Sequence, residues 1–162
     1  MSTDAENAMR NLFQRDEVVA GLGGRRMGAR RHIRKTRRRG GSVEVDIIIS
    51  MMTIRDQVKL YHWQTRSFAR HKATDDLVAK LDENIDTFVE TYMGKYGRPT
   101  ISKPIKLSNF SESAAKTFVG QQRAFLSEVL PRKLSREDTD LLNIRDTILG
   151  DLNQVLYLFT LA

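Results

Sequence analysis

From Ser42 onward, apolar residues recur three or four positions apart through four successive stretches. That spacing puts them on one face of a helix and dictates helices packed on one another. Ile47, Met51, Ile54, Val58 and Tyr61 mark the first helix, expected from Ser42 to about Ser67. Ser42 stands where an N-cap is needed, and Glu44 and Asp46 suit the positive end of the helix dipole. Val78, Leu81, Ile85, Phe88 and Tyr92 mark a second helix from His71 to Met93, with Gly94, Gly97 and Pro99 as its stop. A third is expected over Ser111–Leu130, ended by Pro131. The fourth starts at Ser135, with Asp138 three residues on as in a capping box, and carries Leu141, Ile144, Ile148, Leu152, Val155 and Phe159. The fold class is therefore all-α, a four-helix bundle over residues 42–162. Short links make helices one and two, and three and four, antiparallel pairs. Residues 97–109 form a long crossover with room for a short helical turn.

Charge separates the rest of the chain from this bundle. Residues 1–41 hold eleven Arg/Lys against four Asp/Glu, whereas residues 42–162 hold sixteen of each sign. The whole net charge of +7 thus sits in the first quarter. Arg25, Arg26, Arg30, Arg31, Arg34, Lys35, Arg37, Arg38 and Arg39 crowd one acid-free run between Gly23-Gly24 and Gly40-Gly41. Self-repulsion and glycine predict a disordered basic arm over residues 1–41. Residues 4–20 have the pattern of a short amphipathic helix, with Met9, Leu12, Phe13 and Val19 on its apolar side. Clustered arginine pairs bidentately with phosphate and releases counterions on binding, so DNA or RNA is the expected partner. No aromatic residue interleaves the run, which predicts sequence-nonspecific binding. A solubilising tail, a nuclear-import signal, acidic lipid, and proteolytic release at the Gly-Gly pairs are the competing readings.

Zero cysteines exclude disulfides and thiolate metal sites and fit an intracellular protein. No apolar run approaches the roughly 20 residues that span a membrane, and residues 1–13 lack a secretory pattern. The expected location is the nucleoid, nucleus or cytoplasm, or a virion.

The chemistry-bearing set is His62, His71, Asp75, Asp86 and Glu90. Two of the three histidines belong to it. Imidazole with carboxylate suits iron and similar metals. On one helix His71 and Asp75 are a turn apart, as are Asp86 and Glu90. Asp75 and Asp86 differ by only ~20° in angle but by ~16 Å in height, so no single ion reaches both. The set is two half-sites at opposite ends of one helical face. Either another helix of the chain or a second copy packed across a two-fold axis would complete them. The bland alternative is that each carboxylate lies on a solvated face and each histidine is a satisfied core residue.

The stretch YHWQ, followed by His-x3-Asp-x10-Asp-x3-Glu, resembles the ferroxidase signature of the mini-ferritins, the DNA-binding proteins from starved cells (Dps). The likeness continues through IDTFVETYMGKYGRP and returns in DTDLLNIRDTILGDLNQVLYLFTL, covering most of residues 45–162. The single long crossover is likewise similar to that of ferritin-like folds. The arm and local wording also resemble ferritin-like proteins of large DNA viruses. The resemblance implies that His62, His71 and Asp75 face Asp86 and Glu90 of another copy at a di-iron site, with Trp63 beside it. It further implies Fe(II) oxidation with peroxide or oxygen, iron storage, protection from oxidative stress, a dodecameric shell and DNA binding through the arm. The gap from His62 to His71 is shorter than is usual for that family, and residues 97–110 match poorly. A second reading is a structural DNA-packaging or virion protein without redox activity. A third, another di-metal helical enzyme, lacks the expected Glu three residues before either histidine.

Overall fold

The computed structural model describes residues 41–161, with side chains from Val45 onward. The Arg-rich run and the amphipathic segment over residues 4–20 lie outside the described residues. Among the described residues every regular element is helical. These are α1 (Gly41–Gln64), α2 (Phe68–Tyr96), α3 (Glu112–Ala124), a π-helical turn (Phe125–Val129), α4 (Leu130–Lys133) and α5 (Thr139–Leu158). None of these helices is long and apolar enough to cross a membrane.

The helical periodicity lands where the core is. Met51, Ile54, Leu81, Phe88, Tyr92, Leu126, Leu141, Ile148 and Leu152 are fully buried in one cluster. Each such side chain stabilises the fold by about 1.5–3 kcal/mol relative to exposure. α2 packs against both α1 and α5, and α3 packs against α5 and α1. Polar pairs fix the directions. Lys95 with Asp140, Asn84 with Asp151 and Lys80 with Gln154 make α2 and α5 antiparallel.

The crossover from Gly97 to Ser111 runs along α1 from its first turns to its last. Lys103 Nζ reaches Asp46 at 2.6 Å, and the Gln64 amide donates to Asn109. Between them the buried Gln57 amide bonds the Ser108 backbone in both directions, donating to its carbonyl at 2.7 Å and accepting from its N–H at 2.9 Å. The crossover thereby delivers α3 to the end where α2 begins. It contains no helical turn.

The first helix ends at Gln64 rather than Ser67, and the second starts at Phe68 rather than His71, because Ser67 is the N-cap of the second. Three further expected boundaries shift, each for a physical reason. Gly94 does not end the second helix, which runs from Phe68 to Tyr96 and stops at Gly97, whose φ of +88° only glycine adopts cheaply. Pro131 does not stop the third. It lacks an N–H and its ring crowds the carbonyl four residues back. The π-helical turn just before it, with Leu130 N–H bonded to Phe125 O, lets the chain continue to Lys133. The fourth helix starts at Thr139, not Ser135. Asp138 does accept from the Ser135 N–H at 2.7 Å, as a capping box requires, but Ser135–Asp138 form a turn ahead of the helix.

That turn is a polar hub. Asp138 is buried and accepts from the Tyr96 hydroxyl and from Lys95. Burial alone would raise its carboxyl. The Tyr96 hydroxyl, the Ser135 N–H and the Lys95 ammonium outweigh that and hold it below the usual carboxylate range.

Candidate metal half-site

A three-residue link, Thr65 to Ser67, joins α1 to α2. Thr65 Oγ1 accepts from Ser67 N–H at 3.2 Å, and Ser67 caps α2 by accepting from Arg70 N–H at 3.3 Å. Such a tight corner sets the last turn of α1 against the first turns of α2. His62 and His71 therefore meet. Their rings stack at 4.0 Å between centroids and 23° between planes.

The two imidazoles are locked reciprocally. His62 Nδ1 lies 3.1 Å from His71 O, and His71 Nδ1 lies 3.0 Å from His62 O. A carbonyl only accepts, so each Nδ1 carries a hydrogen, and in the neutral ring each Nε2 keeps its lone pair. His62 is buried at 6% exposure, and its Nε2 is 3.7 Å from Asp75 Oδ1. Asp75 is half exposed and also lies 3.8 Å from Lys72 Nζ. Thus His62, His71 and Asp75 come together at one end of α2.

Asp86 and Glu90 do not join them. Both stand exposed farther along α2, and neither side chain has a hydrogen bond or ion pair to another described residue. α2 is unbroken from Phe68 to Tyr96, so the helical register separates the two pairs as the spacing requires. Among the described residues no cluster of three or more His, Asp or Glu within the chain is arranged to hold a metal ion. Asp82, on the same face, is accounted for by Arg55 of α1, 3.6 Å away.

Thr74, Arg70 and Phe68 were not among the residues singled out by the sequence motif. Thr74 is buried at 1% exposure, with Oγ1 3.2 Å from His62 Nδ1. Arg70 is buried, donates to Glu112 O at 2.8 Å and lies over the Phe159 ring at 4.7 Å, tying α2 to α3 and to the end of α5. Trp63 and Phe68 flank the corner and are 68% and 79% exposed. The available signal for Thr74 was its place in the apolar stripe, four residues before Val78.

The chain is 34% identical over 73 residues to the uncharacterized 14.6 kDa protein in the mobD-ri intergenic region of Enterobacteria phage T4. The match covers 43% of this chain and 57% of that relative, so the chain spans little more than half the relative's length. No solved structure matches the chain. A family profile matches residues 62–159, beginning at His62 and taking in the whole His, Asp and Glu set. Since that match covers more than half of the sequence, the chain belongs to the family of unknown function DUF5856.

Proposed function

We propose that this protein is a ferritin-like, Dps-type iron-handling protein that oxidises Fe(II) at a site shared between two copies and holds DNA through its Arg-rich arm. The observation that carries this reading is the reciprocal lock of His62 and His71. Metal-ligating histidines characteristically give their second ring N–H to a carbonyl or carboxylate, which fixes the ring and the tautomer. Here both do so within the chain.

The donor set fits the ion. Two imidazole Nε2 atoms and Asp75 form one half, and Asp86 and Glu90 form the other. Nitrogen and oxygen donors of this kind suit iron, and the hard carboxylates favour the ferric product. A two-fold axis would bring the acidic half of each partner onto the histidine half of the other. The antiparallel pairs and single long crossover support a ferritin-like arrangement. Within this reading, twelve copies close a shell.

The test is anaerobic Fe(II) loading of the purified protein, followed by peroxide, with ultraviolet absorbance recorded. About two irons oxidised rapidly per site support the ferroxidase. Oxidation no faster than without protein rejects it and favours the structural DNA-packaging role. For the arm, DNA retardation should weaken steeply with salt, with a log–log slope of about −0.9 per phosphate contacted. Removal of residues 1–41 should abolish it. Equal binding by the truncated chain would reject the arm as the binding element.

A further inference from the structure

The two halves of the imidazole lock are not equally strong. His71 Nδ1 donates to His62 O, which lies in the last turn of α1, where carbonyls have no partner within the helix. That bond uses a free acceptor. His62 Nδ1 donates to His71 O, which lies inside α2 and already serves the helical ladder. That carbonyl is also the longer, alternative acceptor for the single Thr74 hydroxyl hydrogen, at 3.1 Å. His62 thus has only a share of an occupied acceptor.

Thr74 supplies what is missing. Its hydroxyl donates to Arg70 O at 2.8 Å, one turn back in α2. With the hydrogen committed there, an oxygen lone pair is left toward His62 Nδ1, 3.2 Å away. The site is dry, since His62 and Thr74 are 6% and 1% exposed, so water does not replace the bond. We propose that Thr74 is a positioning residue that keeps the hydrogen of His62 on Nδ1 and so presents a bare Nε2 beside Asp75. This rests on the metal half-site reading for its purpose, though not for its geometry.

The experiment is a long-range nitrogen–proton NMR spectrum of the metal-free full-length protein, labelled with 15N-histidine and recorded with the imidazoles neutral. It is followed by titration with Co(II) alone. In the unaltered chain both rings should show the hydrogen on Nδ1. Thr74→Val preserves shape and removes the acceptor, and should move His62 toward the other tautomer while leaving His71 unchanged. Co(II) affinity should fall about tenfold, as for loss of an outer-shell partner. Thr74→Ser should restore both. An unmoved His62 signal in Thr74→Val, or equal changes in both rings as from general loosening, would overturn the proposal. If the tautomer shifts but even the unaltered protein takes no Co(II), Thr74's role stands and the metal reading fails.

Discussion

The two ends of the helical face of α2 that carries the candidate ligands are built differently. At the first, His62 and His71 are stacked, bonded to one another's backbone and backed by Thr74. At the second, Asp86 and Glu90 stand exposed, and neither side chain bonds another described residue. A group held rigidly by its own chain serves the fold as well as any ligand. A side chain with no partner contributes little to the fold, so substituting it tests the proposed site with little cost to stability. The contrast therefore lets the proposed function be tested separately from stability along a single helix.

The sharpest way to break it is to substitute the halves separately. Asp86→Ala with Glu90→Ala should eliminate rapid Fe(II) oxidation, while the unfolding free energy changes by no more than about 0.5 kcal/mol per site. Stopped-flow absorbance and urea denaturation read the two quantities, and unchanged kinetics would refute the site assignment. His62→Ala should eliminate oxidation and also cost about 1–3 kcal/mol, because buried partners lose their bonds. Mixing the two defective chains sharpens the comparison further. Random pairing across a two-fold interface makes half the dimers mixed, each with one intact site, so about a quarter of the activity should return. No recovery on co-expression would reject a site completed across a two-fold interface.

Smaller effects should be confined to the far end of α2. Asp138→Asn removes the charge that Tyr96, Ser135 and Lys95 hold in place and should cost about 1–3 kcal/mol by urea denaturation at neutral pH. The folded carboxyl is held below its unfolded value, so this stabilisation is complete above about pH 4. It is lost as the pH falls through the lower, folded value. The difference between Asp138→Asn and the parent should accordingly narrow in acid; a constant gap would mean the effect is steric. Gly94→Ala meets nothing within 4 Å and should stabilise by about 0.5–1 kcal/mol without altering metal uptake.

The sequence made the buried stripes legible because helical periodicity depends only on spacing. Ile54, Leu81, Phe88, Ile148 and Leu152 all lie in the core expected of them. Helix ends were less legible, since they depend on backbone torsion. Gly94 and Gly97 look alike in a sequence, yet only Gly97 takes a positive φ. Pro131 reads as a stop until a π-helical turn is known to precede it. The five candidate ligands were legible by type and spacing. The stacking of His62 on His71 was not, because it depends on a three-residue corner. That corner brings the last turn of α1 beside the first turns of α2, so that each ring reaches the other's carbonyl.

The protein has one tryptophan, Trp63, next in sequence to His62, largely exposed and with Lys59 Nζ 5.6 Å from its ring centroid. All indole fluorescence of this molecule therefore arises at the histidine corner. A second copy settling over the corner would dry the indole and shift its emission to the blue, whereas a paramagnetic ion arriving at His62 would darken it. If assembly and ion uptake occur as proposed, they would leave distinguishable optical marks on one unmodified residue, and their order would be read in a single mixing trace.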